Sequence, residues 1–144
     1  MGSILFVNLR VLIEEEVHPI YLELTRGSIE HIEDIPFTKM SDLFVAAACI
    51  GAKENKFKEL GSHKRDIFVA DALNPRFQIP VLMALTYKRT NNLEDLQNPK
   101  LILDICQAWA NGGIRILQEQ VSLGQGLRPL YRLVDFILNE MQFK

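Results

Sequence analysis

The sequence predicts a mainly α-helical fold: a compact bundle of five or six helices around one buried helix at about residues 39–51, with a short N-terminal strand. Three observations predict it. Eight apolar residues run without a break from Leu43 to Ile50, three consecutive alanines among them, and Ala has the lowest helix cost of any residue. Near the C-terminus, Leu130, Leu133, Val134, Ile137, Leu138 and Met141 recur at helical spacing, the clearest amphipathic pattern in the chain. Between these, helix-start pairs such as Asn98-Pro99 divide the sequence into short segments.

The bulk properties suit this class. A chain of 144 residues with 48% hydrophobic and 24% charged residues matches one globular domain, 1–144, able to bury its own core. The net charge of −2 makes the whole molecule no electrostatic magnet for nucleic acid, so any such site must be local. The two cysteines, Cys49 and Cys106, lie in apolar helical patterns and read as buried free thiols. The start Ile4-Leu5-Phe6-Val7 has no basic leader and is interrupted by Asn8 and Arg10, so it does not read as a signal peptide. No apolar run reaches the roughly 20 residues that span a bilayer. The expected compartment is the cytoplasm, with no membrane partner.

Taken in order, Ile4–Ile13 reads as a strand or an irregular arm within residues 1–16, because it is rich in β-branched and large apolar residues. A short helix is expected from Pro19 to Arg26, with Val17, Ile20, Tyr21 and Leu24 as its buried stripe and Gly27 as its end. Glu14-Glu15-Glu16 precede it, where negative charge suits a helix N-terminus. Residues 28–37 form a connector that Phe37 pins to the core. The buried helix follows, with Thr38 as its cap and Gly51 as its left-handed stop. Ile67-Phe68-Val69 is a short strand or a loop anchor. Asn74-Pro75 predicts one turn, and Pro80 begins a helix to about Thr90 that turns Val81, Leu82, Leu85 and Met83 inward and breaks at Asn91-Asn92. Asn98-Pro99 starts the next helix. Asn111-Gly112-Gly113 stops or kinks it, another helix follows at once, and the last runs from about Pro129 to Met141 after a turn at Gly124 and Gly126.

The residues carry no recognisable catalytic constellation. Neither cysteine has a Cys or His at ligand spacing, so no zinc motif exists. His31 with Glu30, Glu33 and Asp34 reads as a solvated acidic loop before it reads as an ion site. No nucleophile elbow, phosphate loop or dinucleotide fingerprint is present, so no catalytic residue and no cofactor is expected. Glu54-x-Lys56 matches the tail of a metal-nuclease signature, but the upstream Asp such a signature needs on a strand is here Asp42, at a helix start. Five of the thirteen residues 53–65 are basic: Lys53, Lys56, Lys58, Lys64 and Arg65. Beside the glycine turn at Gly61 they form the candidate nucleic-acid contact, through phosphates. The competing view is a solvated loop half neutralised by Glu54 and Glu59.

Three groups of residues carry a resemblance. They are Pro36-Phe37-Thr38-Lys39-Met40-Ser41-Asp42-Leu43-Phe44 with Ala46-Ala47-Ala48 and Ile50-Gly51; Leu82-Met83-Ala84-Leu85; and Trp109-Ala110-Asn111-Gly112-Gly113-Ile114. Over about residues 36 to 117 the chain resembles dnd system-associated protein 4, the small accessory proteins of DNA phosphorothioation systems. The shared motifs are structural, and no catalytic residue carries over. The resemblance implies a place in bacterial DNA modification and restriction against foreign DNA, as a non-enzymatic adaptor that binds the system's other proteins and the DNA backbone. The alternative is a subunit completing a composite nuclease or other enzyme site, to which Glu54, Lys56 or the His31 cluster would contribute. The strand-like arm before the helices also faintly resembles ribbon-helix-helix proteins, an analogy that the connector 27–37 weakens. Oligomeric state is not legible in the sequence.

Overall fold

The computed structural model describes residues 6–26, 37–122 and 137–138. Its elements follow in chain order as β1 (Arg10–Glu14), α1 (His18–Arg26), α2 (Met40–Lys53), β2 (Lys64–Val69), α3 (Gln78–Thr90) and α4 (Pro99–Ser122), with 3-10 turns at Glu15–Val17, Ala70–Ala72 and Leu93–Gln97. The mainly helical class stands. Among the described residues there are four α-helices rather than five or six. The acidic connector with His31, the turn at Gly124 and Gly126 and most of the predicted C-terminal helix lie outside the described residues.

The helix number differs chiefly because Asn111-Gly112-Gly113 stops nothing: α4 runs straight through it. These glycines serve packing. A Cβ on Gly113 would overlap the carbonyl oxygen of Ala47 in α2, and one on Gly51 of α2 would overlap that of Trp109 in α4. Two backbones meet there without side chains between them, the situation that excludes every residue but glycine. Gly51 accordingly does not end α2 either. The end is a Schellman motif: Lys56 N–H donates to Gly51 O at 2.8 Å, Asn55 N–H to Ala52 O at 3.2 Å, and Asn55 takes the left-handed conformation with φ 55°. At the other end, Lys39 occupies the cap position in extended conformation with no side-chain bond. Thr38 sits one residue too early to cap.

The expected central helix shares that place with a neighbour. Leu43, Phe44, Ala47, Ala48 and Ala52 of α2 are buried, but Val45, Ala46, Cys49 and Ile50 are only partly covered. In α4 every residue from Ile105 to Asn111 is buried, because β1, α1, α2 and α3 all pack against it. The α1 stripe is as the 3.6-residue period requires: Val17, Ile20, Tyr21 and Leu24 are all buried. In α3, Leu82 is fully buried, whereas Val81, Met83 and Leu85 are half-covered. Asn74 caps the expected turn, its Oδ1 accepting from Arg76 and Phe77 N–H at 2.8 and 3.0 Å. Asn98 caps α4, accepting from Leu101 N–H at 3.1 Å.

Of the first apolar run, Arg10–Ile13 lie in β1 and Phe6–Leu9 precede it outside the strand, while Ile4 and Leu5 lie outside the described residues; Ile67-Phe68-Val69 belongs to β2. β1 and β2 pair antiparallel, from Arg10 opposite Val69 to Glu14 opposite Lys64, with a bulge beside Val11 and Leu12. Val11 and Ile13 face the core, the alternation a one-sided sheet demands. The Leu12 N–H donates to Oε1 of buried Gln107 at 2.8 Å, which ties β1 to α4. No described helix is long and apolar enough to cross a membrane.

Candidate nucleic-acid interface

The basic segment begins where the Schellman motif turns the chain out of α2. It then runs alongside α4 towards β2, and four contacts hold its backbone. Lys58 N–H donates to Ala108 O at 3.1 Å, and Asn111 Nδ2 donates to Lys58 O at 3.0 Å. The Lys56 carbonyl presses so closely on Gly112 that a Cβ there would overlap it. Gly61 N–H donates to Oε2 of Glu14 at 2.9 Å. Side chains add to this. The Phe57 ring stands edge-on to Trp109 at 4.9 Å, and the Arg89 guanidinium lies 3.8 Å above Phe57. Arg89 stands in the last turn of α3, where a cation suits the helix dipole, and its stacking on Phe57 adds a cation–π contact.

The five predicted contact residues are all exposed but not equally available. Lys53 pairs with Glu54 at 3.5 Å. Arg65 lies on β2 and pairs through Nε with both oxygens of Glu15, at 3.0 and 3.2 Å. Lys58 lies 3.8 Å from Glu14. Lys56 has no ion-pair partner among the described residues. The Lys53 and Arg65 pairs are exposed on both sides, and such pairs are worth about 0–1 kcal/mol, so a polyanion can displace them.

Two depressions flank the segment, and their charges differ. One, of about 390 Å³, is lined by Lys64 and Lys100 but equally by Glu59 and Asp104, with Phe57, Leu60, Leu101, Ile105 and Gln107. The other, of about 300 Å³, is lined by Asn55, Lys56, Phe57, Lys58, Asn111, Gly112 and Arg115. Three cations and no carboxylate line it among the described residues. The structure thus brings Lys56 and Lys58 to one side with Arg115, and places Lys64 and Arg65 on the sheet. Sequence reasoning missed Arg115 and Asn111 because it placed a stop or kink at Asn111-Gly112-Gly113. Had the helix been continued, the four-residue spacing from Asn111 to Arg115 would have put both on one face.

Glu14 is the acid that organises this region. Its side chain is 13% exposed, and the Gly61 N–H bond, ahead of Asn111, Lys58 and Arg115, holds its carboxyl below the ordinary carboxylate range against the opposing effect of burial. Two buried acceptors here, Glu14 Oε1 and Asn111 Oδ1, have no hydrogen-bond donor. The Lys58 ammonium is the nearest cation to the first.

Nothing in this arrangement is nucleophilic or metal-like. Among the described residues no group of three or more His, Cys, Asp or Glu gathers as a metal ion would need. The nuclease fragment is pulled apart: Asp42 bonds Gln78 at the start of α2, while Lys56 follows its far end, ~20 Å away at 1.5 Å rise per residue. Cys106 is buried against Leu82 and Thr86, but Cys49 is only half-buried, which corrects the expectation of two buried thiols.

Among the described residues, a basic segment is thus pinned along the longest helix of a mainly helical scaffold. The chain belongs to the family of DNA sulphur modification system-associated protein 4, whose model matches residues 12–143. No curated protein and no solved structure matches it.

Proposed function

We propose that this protein is a non-enzymatic accessory subunit of a DNA sulphur modification system. It is an adaptor that binds the system's other proteins and touches the DNA backbone through Lys53, Lys56, Lys58, Lys64 and Arg65. In this reading it works in the cytoplasm, on the modification and restriction side of a defence against foreign DNA. The observation that carries the DNA part is the depression lined by Lys56, Lys58 and Arg115 without a carboxylate. Cations on a preorganised backbone suit phosphate contacts, which position a protein on DNA without reading sequence. The family supports the association with the modification system.

The test is complementation in cells that carry the sulphur modification proteins but lack this one. Wild type restores the system's output, and a folded variant with Lys53, Lys56, Lys58 and Arg65 changed to Ala does not. Tagged wild type co-purifies with at least one of the system's own proteins. Cleavage or modification of DNA by the purified protein alone would overturn the non-enzymatic reading, and absence of every system protein from the eluate would overturn the adaptor.

A further inference from the structure

We infer that the depression between residues 55–58 and α4 is a seat for one phosphate group, with Arg115 and Lys56 as its principal ligands. This deepens the reading of the basic segment as a DNA contact and rests on it only for the source of the phosphate.

Four observations carry the inference. The lining holds three cationic side chains, Lys56, Lys58 and Arg115, with no carboxylate among the described residues. About 300 Å³ accommodates a phosphate with part of its water shell. The walls are fixed: the Lys56 backbone is bonded to Gly51 and pressed on Gly112, and that of Lys58 is bonded to Ala108 and Asn111. A seat whose backbone is already ordered loses little entropy on binding. The cations also divide by availability. Lys56 has no competing acid among the described residues. Arg115 reaches Glu16 at 3.4 Å, with both side chains more than half exposed, and acts on Glu14 only as the weakest of the cations and donors around it. Lys58 is drawn towards Glu14 and contributes less. Arg115 presents a planar fork suited to two phosphate oxygens, and Lys56 a point charge beside it. The neighbouring depression fails the same test, since Glu59 and Asp104 offset Lys64 and Lys100 there.

The experiment is an amide chemical-shift titration of the full chain at constant ionic strength held with chloride. Holding the ionic strength keeps diffuse screening unchanged. The probes are inorganic phosphate and a short duplex with 5′-hydroxyl ends. Phosphate is expected to shift the amides of Lys56, Lys58, Gly112 and Arg115. Arg115→Gln or Lys56→Gln should weaken that response about tenfold, the loss typical of one charge-assisted contact, while Lys100→Gln leaves it unchanged. If the duplex shifts the same amides, the seat holds a backbone diester. If phosphate shifts them and the duplex binds nowhere, the seat stands as a site for free phosphate or a monoester, and the DNA reading fails. If phosphate shifts them and the duplex binds elsewhere, the seat stands for free phosphate and the DNA contact lies on another surface. If phosphate leaves them unshifted while the duplex binds elsewhere, or if Arg115→Gln responds to phosphate as wild type does, the seat is overturned and the DNA reading survives. No response to either probe overturns the seat.

Discussion

Gly51, Gly112 and Gly113 are single residues on which the rest depends. Each sits where a Cβ would overlap a carbonyl oxygen of another segment, so addition of one methyl group must move backbone rather than a side chain. Gly113→Ala should cost about 1–3 kcal/mol or more through overpacking, read as a lowered melting temperature; an unchanged one would mean that α2 and α4 do not touch there. Gly112→Ala should act locally, lifting the Lys56 carbonyl and raising proteolytic nicking within residues 55–61. The thiols give a second residue-scale prediction. Burial pushes the Cys106 thiol up to about 12 and raises that of half-buried Cys49, and the thiolate is the reactive form. In the native protein a thiol reagent should therefore modify Cys49 slowly and spare Cys106, with mass spectrometry reporting which. Rapid labelling of Cys106 would contradict its placement between Leu82 and Thr86.

At the scale of elements, the antiparallel pair of β1 and β2 anchors the basic segment through Glu14. The folded carboxyl titrates below its ordinary value of 4.5. Its contribution is thus fully present above that value and is lost as pH falls through the lowered one. Thermal melting followed from neutral to strongly acid pH should show wild type losing more stability below pH 4.5 than Glu14→Gln, which has no such charge to lose; equal losses would show that the Gly61 bond does not matter. Ala47→Leu tests the helix pair in the same way. Ala47 is fully buried and its carbonyl faces Gly113, so the larger side chain should cost about 1–3 kcal/mol.

What could be read from the chain follows from the range of each signal. Local periodicity placed the stripe Val17, Ile20, Tyr21, Leu24 and the starts at Asn74 and Asn98, because capping and amphipathicity act within a turn or two. Glycine was misread at Gly51 and at Gly112-Gly113, since the same residue serves a left-handed stop and a close crossing, and only the distant partner decides which. That error hid Arg115 and Asn111 from the candidate site. The Schellman motif at Asn55 was illegible for a related reason, because nothing before it signalled that the helix outlasts Gly51.

The whole molecule is acidic, with a net charge of −2, yet it gathers cations along one edge of α4. In the function proposed above, this edge holds the DNA backbone. The most direct measurement is titration of duplex DNA at several salt concentrations, with wild type and with the variant changed to Ala at Lys53, Lys56, Lys58 and Arg65. Each neutralised phosphate adds about 0.9 to the slope of log affinity against log salt, so three or four contacts give roughly −3 for the wild type. The expected result is that slope, no dependence on DNA sequence, and a markedly flatter, weaker response for the variant. Absence of binding at low salt, or a variant that binds with the wild-type slope, would contradict it.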